Sequence, residues 1–202
     1  MSTSQRVRLA GTSYAIGGLL WFALAVVLAV FVGGAPAGGS TAFLASQLVF
    51  VILQVLLLFG FFGIYWSGGV GRGIFGRSAF GFGVIGHLVF VGGEIHSLVI
   101  GAGSDLIPLG ALVSAFGMLL TGIAVLVANQ WRGWTRWIPF LAGLYPWLFM
   151  FPFLFIYGEP NFYAISGWGL ARIALGLAIR AQADTVASAT SPADAKLSQR
   201  SV

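Results

Sequence analysis

The feature that most constrains the fold is a series of long apolar stretches separated by short, glycine-rich connectors. Crossing about 30 Å of hydrocarbon as a helix takes roughly 20 apolar residues, and each stretch is of that length. The stretches are continuously apolar, whereas the strands of a membrane barrel alternate with period two, so the pattern predicts an all-α bundle. The six predicted spans are 13–33, 43–66, 79–101, 107–128, 138–157 and 163–179.

Composition agrees with a membrane protein and excludes several other classes. Of the 202 residues, 58% are hydrophobic and only 7% are charged, whereas an ordinary soluble domain carries about a quarter charged residues. The charges behind the net +5 lie between the apolar stretches, where membrane topology explains them better than a nucleic-acid partner. The chain has no cysteine, which excludes thiolate catalysis and cysteine-ligated zinc or iron–sulfur clusters.

Basic residues flank the spans in alternation, which predicts the topology. They lie before the first span, between the second and third, between the fourth and fifth, and after the sixth, whereas the other connectors carry none. By the positive-inside rule, both termini are expected in the cytoplasm of an inner (plasma) membrane, with lipids as neighbours. The basic residues are Arg6, Arg8, Arg72, Arg77, Arg132, Arg136, Arg180, Lys196 and Arg200.

Aromatic residues at the ends of the spans agree with this orientation, because tryptophan and tyrosine concentrate at membrane–water interfaces. The expected aromatic belts consist of Trp66, Trp131, Trp134 and Trp137 on the inner side, with Tyr157 and Tyr163 on the outer side.

The predicted organisation is a single six-helix membrane domain over 1–180 and a disordered cytoplasmic tail over 181–202, which is rich in Ala, Ser and Thr. One alternative concerns the first span, because Arg6 and Arg8, an apolar stretch and Ala35-Pro36-Ala37 resemble a signal peptide. The apolar stretch has about 20 residues, longer than the usual 7–15 of a signal peptide, which favours a retained span.

Ionisable and strongly polar residues inside the spans are the candidate binding site, because they are costly in hydrocarbon. Glu94 and Arg172 fall roughly 10 and 14 Å below the outer edge at 1.5 Å per residue. Helical spacing puts Glu94 on one stripe with His87 and Ser97, whereas His96 points elsewhere. The predicted interior polar cluster contains Glu94, Arg172, His87, Gln54, Gln47 and Ser97, with Ser114 as a second hydroxyl partner.

The sequence allows two interpretations of Glu94 and Arg172. In the first, they form a structural ion pair that allows both helices to insert, and removing one partner costs more stability than removing both. In the second, the cluster binds or moves a ligand. Arg172 shares a stripe with Gly169 and Gly176, and these small residues predict that the stripe faces protein.

His87 and His96 raise the alternative of haem or pigment ligation. The two residues are nine positions apart on one helix, hence about 180° around and 13.5 Å along it, so one monomer cannot clamp a haem between them. Ligation between molecules, a single-histidine pigment, or His87 with Met118 remain as alternatives. No cofactor or metal is predicted, and no catalytic residue is assigned.

Two further patterns bear on packing. The fifth span is aromatic and contains Pro146 and Pro152, each of which favours a kink. Its aromatic residues either line a pocket for a lipid, quinone or isoprenoid, or form a lipid-facing surface. Small residues at 93, 97 and 101 and at 110 and 114 predict close helix contacts, within the bundle or in a homo-oligomer.

The absence of specific catalytic motifs favours a non-catalytic accessory protein that binds a lipid or a membrane-protein partner. A small transporter or channel that uses Glu94 and Arg172 is the main alternative. An intramembrane enzyme with Glu94 and His87 as acid and base, or a haem or pigment protein, is the remaining one.

Overall fold

The computed structural model describes residues 1–158 and 160–189. These residues form helices joined by short connectors, and they contain no strand. Six of its helical segments are long and apolar enough to cross a membrane, which confirms the predicted number. The α-helices are α1 (Thr3–Val27), α2 (Thr41–Trp66), α3 (Ile74–Ile100), α4 (Leu106–Ala128), α5 (Ile138–Tyr145), α6 (Phe151–Tyr157) and α7 (Phe162–Ala189).

The helix ends differ most from prediction where polar residues continue an apolar span. α1 begins at Thr3 rather than near 13, and α7 continues to Ala189. The predicted disordered tail is therefore wrong for 181–189, while 190–202 lie outside the described residues. The side chain of Gln182 is buried and donates to Thr135 Oγ1 at 3.0 Å. Backbone hydrogen bonds and contacts of this kind extend a helix without apolar residues.

Local side chains account for several of these ends. The hydroxyl of Ser2 accepts from the backbone nitrogen of Gln5, and the Gln5 side chain accepts from the Ser2 backbone nitrogen, a reciprocal capping box. Ser40 caps α2 in the same manner, by accepting from the backbone nitrogen of Phe43. α3 ends at Gly101 in the left-handed region, with φ 67°, a conformation that glycine adopts without steric cost.

The six spans form a closed ring in chain order. α1 packs against α2 and α7, α2 against α3, α3 against α4, and α4 against α5, and α5 closes the ring against α7. Neighbouring spans are therefore antiparallel, as expected for an up-and-down bundle with short connectors.

Alternate connectors meet at opposite ends of the ring. At one end, Trp131 Nε1 donates to Ser67 Oγ at 3.1 Å, so the α2–α3 and α4–α5 connectors touch. This arginine-bearing end also holds the start of α1 and the end of α7, where Arg8 pairs with Asp184. At the other, arginine-free end, Gly38 lies against the carbonyl oxygen of Gly101.

Small residues allow backbones to approach closely within the bundle, as predicted. A methyl group at Gly176 would lie 2.4 Å from the backbone nitrogen of Ala15, and one at Gly169 would lie 2.7 Å from that of Phe22. The stripe that carries Arg172 therefore faces α1, which confirms the expectation that it faces protein. The same holds between α3 and α4, where Gly86 packs on the backbone of Ser114.

The fifth span, Gly133–Tyr157, is interrupted at both prolines. A π-helical turn over Pro146–Met150 separates α5 from α6, and Pro152 follows at the start of α6. Because proline lacks an N–H, it leaves a carbonyl one turn earlier without its helical partner. The predicted kinks stay a prediction; the structure shows a π-helical turn that begins at Pro146, whereas Pro152 lies within α6.

Trp131 departs from the expected aromatic belt. Trp134, Trp137, Tyr157 and Tyr163 are exposed, but Trp131 is only 1% exposed and packs inside the arginine-bearing end. Its indole nitrogen has a partner within the protein, in Ser67. The position of a tryptophan at the end of a predicted span therefore does not determine whether its side chain is exposed or lies in the core.

Candidate functional site

A pocket of about 370 Å³ lies on the axis of the ring, in the half near the arginine-free end. Its location follows from its lining, since every span contributes to it and the α6–α7 connector adds Pro160 and Asn161. Its volume is within the range of small-molecule sites, roughly 300–1,000 Å³. One lining residue from each span is, in order, Trp21, Phe50, Phe90, Ala111, Phe151 and Ile165.

The wall of the pocket is mainly apolar, and Trp21 is at its centre. The indole of Trp21 meets Phe50 and Phe90 edge to face, with ring centroids 5.6 and 5.8 Å apart. Its nitrogen donates to the carbonyl oxygen of Ile165 at 2.8 Å, which ties α1 to α7. Edge-to-face packing and this hydrogen bond together hold the ring in one orientation.

Two of the predicted site residues, Glu94 and Gln47, line this pocket. Glu94 is 2% exposed and Gln47 is 8% exposed. Neither Glu94 Oε2 nor Gln47 Oε1 receives a hydrogen bond from any described residue. A buried polar atom without a partner is costly, more so for a carboxylate. The pocket thus contains two hydrogen-bond acceptors that the protein itself leaves unused.

Arg172 does not form the expected ion pair with Glu94. In residues 1–158 and 160–189, the only salt bridge is the exposed one between Arg8 and Asp184. The guanidinium of Arg172 instead lies in the corner between two indoles, with its central carbon 4.1 Å from the ring centroid of Trp21 and 3.7 Å from that of Trp168. Both rings are buried, so cation–π attraction replaces part of the lost hydration.

The rest of the predicted cluster lies outside the pocket lining. Gln54 is fully buried, one helical turn beyond Phe50 towards the arginine-bearing end, and its amide has no partner among the described residues. His87 Nδ1 lies 3.0 Å from the carbonyl oxygen of Gly83, and its ring stacks on Phe61. Arg172 lies within electrostatic range of His87. The structure thus separates a pocket pair, Glu94 and Gln47, from an inner polar layer that consists of Arg172, Gln54 and His87.

Ser97 and His96 bind the α3–α4 connector. Ser97 Oγ accepts from the backbone nitrogen of Ser104 at 2.9 Å, and His96 Nδ1 lies 2.9 Å from Ser104 Oγ. Ser114 Oγ donates to the carbonyl oxygen of Ala111, within its own helix. These hydroxyls therefore do not hydrogen-bond to Glu94, contrary to the expectation that they serve as its partners.

The candidate cofactor ligands His87, His96 and Met118 lie in different environments. His87 is buried whereas His96 is exposed, so the two histidines point apart as predicted. Met118 Sδ accepts from the hydroxyl of Tyr14 at 3.2 Å. Within the described part of the chain, no three His, Asp or Glu side chains are grouped so as to hold a metal ion.

Trp21 and Trp168 were not predicted as site residues, although the sequence carried a signal for Trp21. Tryptophan in membrane helices concentrates at the interfaces, whereas Trp21 falls in the interior of its span. Trp168 lies close to the start of its span at Phe162, so its position gives no comparable signal.

No family model, curated protein or solved structure matches this chain. The geometry of the pocket is therefore the basis on which a function can be argued.

Proposed function

We propose that this chain is a multi-pass inner-membrane protein with cytoplasmic termini, and that it binds a small amphiphilic molecule in the axial pocket without transforming it. Membrane insertion is supported by the outer surface of the ring, where each span exposes large apolar side chains. Contiguous apolar surface of this kind needs an apolar environment. These side chains include Leu19, Leu48, Ile85, Leu109, Leu141 and Leu170.

The observation that carries the binding proposal is the meeting of an apolar pocket with unpaired buried acceptors. Pockets that bind small molecules combine apolar walls with a few convergent polar groups, and here those groups are Glu94 and Gln47. A ligand that donates hydrogen bonds to them offsets a cost that the bundle alone leaves uncompensated. The apolar part of the same ligand packs against the aromatic residues of the pocket wall.

The break in the fifth span supports access from the side. Met150 and Phe151, at the junction of the π-helical turn with α6, line the pocket, whereas Phe155 and Ile156 in the same helix are exposed. The π-helical turn and Pro152 are the features at which a helix changes direction. α6 is thus the segment best placed to admit a molecule from the bilayer.

A non-catalytic role is supported by the isolation of Glu94. His87, the other candidate acid or base, lies two turns away on α3 with one ring nitrogen against the carbonyl oxygen of Gly83. It is absent from the pocket lining. General acid–base catalysis needs both groups within hydrogen-bond reach of one substrate.

The proposal is tested by blocking the pocket and identifying what copurifies. Ala111→Trp places a large ring into the pocket lining, whereas Leu112→Trp, on the next residue of α4, places one on the exposed surface. Mass spectrometry of protein extracted in a mild detergent is expected to find a bound amphiphile in the wild type and in Leu112→Trp. The same species is expected to be depleted about tenfold or more in Ala111→Trp.

Equal amounts of every copurifying species in both variants would contradict binding in the pocket. Thermal unfolding of both variants serves as the folding control, and Leu154→Trp is a second blocking variant from the fifth span.

Transport is the second candidate, and the inner polar layer is the observation that favours it. Arg172, Gln54 and His87 continue the unpaired polar atoms from the pocket towards the arginine-bearing end, as a substrate path would require. Counterflow in liposomes that is lost in Glu94→Gln would establish transport. Stable binding without counterflow would establish a binding protein.

A further inference from the structure

We infer that the molecule bound in this pocket is a lipophilic cation, with an ammonium group on an apolar body. This inference rests on the proposed binding function and specifies its ligand. Glu94 is the only ionisable side chain among the described residues that line the pocket. The described lining of the pocket is thus mainly apolar and carries one acid.

Glu94 forms no salt bridge with any described residue. The basic residue of the neighbouring polar layer, Arg172, is bound to Trp21 and Trp168 and makes no salt bridge to Glu94. A carboxylate in an apolar chamber is stabilised most by a positive charge that also donates hydrogen bonds. An ammonium group supplies that charge from the ligand.

Two polar side chains of the pocket lining carry buried acceptor atoms. Glu94 Oε2 and Gln47 Oε1 are both acceptors without donors among the described residues. A primary ammonium carries three donors and no acceptor, and so can hydrogen-bond to both oxygens. An anionic headgroup would place two negative charges together, and a neutral one would leave the carboxylate without a counter-ion.

The aromatic wall is a further argument for a cation. Trp21, Phe50 and Phe90 meet edge to face beside Glu94, and Phe151 and Phe162 complete the lining. Aromatic rings attract cations, including quaternary ammonium groups that donate no hydrogen bond. A cation in this pocket is therefore attracted by both the carboxylate and the rings, whereas a neutral amphiphile has hydrogen bonds and apolar contacts without that electrostatic attraction.

The experiment compares three probes of equal chain length against the full protein in phosphatidylcholine nanodiscs. Decyltrimethylammonium, decanol and decyl sulfate are titrated by calorimetry, with empty nanodiscs subtracted to remove partitioning into lipid. The wild type is expected to bind the cation about tenfold more tightly than the alcohol, and the sulfate most weakly. In Glu94→Gln the preference for the cation is expected to fall to about twofold or less.

The matched control is Asp105→Asn, which removes an exposed acid at the same end of the bundle. Asp105→Asn is expected to keep the full preference for the cation, since the charge of an exposed side chain is screened by water and salt. Thermal unfolding of Glu94→Gln in the same nanodiscs is the folding control for this variant. Should Glu94→Gln fail to fold, Phe50→Leu removes a ring and is expected to lower the preference about threefold.

Three other outcomes are distinguishable. If cation and alcohol bind equally, and Ala111→Trp abolishes both, the inference of a cation is overturned and the pocket function stands. If no probe distinguishes wild type from Ala111→Trp, the pocket function itself is overturned. A preference for decyl sulfate would also overturn the inference.

Discussion

The guanidinium of Arg172 lies against the indole of Trp168, with its central carbon 3.7 Å from the ring centroid. Its three nitrogen atoms donate no hydrogen bond to any residue in the described part of the chain. The charge in the core of this bundle is therefore held mainly by aromatic rings, and Glu94 is left available to the pocket. This separation of the two charges is the basis of the proposed binding site.

The separation predicts how Arg172 is coupled to its neighbours. In double-mutant cycles, Arg172→Met with Glu94→Leu is expected to show a coupling energy below about 0.5 kcal/mol, because the two side chains form no salt bridge. Arg172→Met with Trp168→Leu is expected to show about 1–2 kcal/mol, since the cation and the ring touch in a buried site. The free energy of unfolding in mixed detergent micelles provides the measurement.

The reverse order of coupling energies would restore the ion pair that the sequence suggested. Arg172→Lys adds a further check, because a lysine keeps the charge but loses the planar stack on Trp168. It is expected to remain less stable than the wild type.

Close packing of α1 on α7 predicts a large cost for a single methyl group. Gly176→Ala brings its Cβ to about 2.4 Å from the backbone nitrogen of Ala15, and an overpacked contact of this kind typically costs about 1–3 kcal/mol. Gly92→Ala, in α3, meets no atom within 4 Å. It is expected to be neutral or to stabilise by up to about 1 kcal/mol, because alanine favours a helix over glycine.

Thermal unfolding of the two alanine variants in the same detergent makes the comparison. A loss of stability in Gly92→Ala as large as that in Gly176→Ala would argue against direct backbone contact between α1 and α7.

The burial of Trp131 predicts that it differs from the other tryptophans at the arginine-bearing end. Trp131→Leu removes a buried ring and its hydrogen bond to Ser67, and is expected to cost about 3 kcal/mol of unfolding free energy. Trp134→Leu removes a ring that is 63% exposed and is expected to change stability by less than about 0.5 kcal/mol in detergent.

Fluorescence provides an independent readout for this pair. An aqueous quencher is expected to reach Trp134 and not Trp131, so loss of Trp134 should reduce the quenchable fraction of the emission. Quenching that falls equally in the two variants would place Trp131 at the surface.

The proposed topology can be tested by single-cysteine labelling, since the natural chain has no cysteine. Ala102→Cys lies in an exposed connector of the arginine-free end, and Gln130→Cys lies in one of the arginine-bearing end. A membrane-impermeant thiol reagent is expected to label Ala102→Cys in intact cells, and Gln130→Cys only after permeabilisation, by the positive-inside rule. Labelling of both positions in intact cells would contradict the proposed orientation.

Much of the fold could be predicted because it depends on local composition. The ends of α2 and α4 lie within two residues of the predicted spans, since hydropathy changes sharply there. The additional turns at the start of α1 and the end of α7 could not be predicted from hydropathy. They are polar, and they are stabilised by capping at Ser2 and by contacts such as that of Gln182 with Thr135.

The candidate site could be predicted only in part. Helical spacing identified Glu94 and Gln47 as polar residues of the interior, and both line the pocket. The same spacing placed Arg172 at a similar depth and suggested a pair with Glu94. Depth and facing do not determine the rotation of one helix relative to another, which brings Arg172 against Trp21 and Trp168 instead.

From the sequence alone follow the number of apolar helices, the alternation of their connectors and the inventory of costly polar side chains, because each depends only on the order of residues along one helix. The tertiary structure alone decided which of those side chains meet. Closing six helices into a ring directs Trp21, Phe90 and Glu94 towards one axial space. Whether a buried charge finds a carboxylate, a ring or a ligand depends on contacts between residues far apart in the chain.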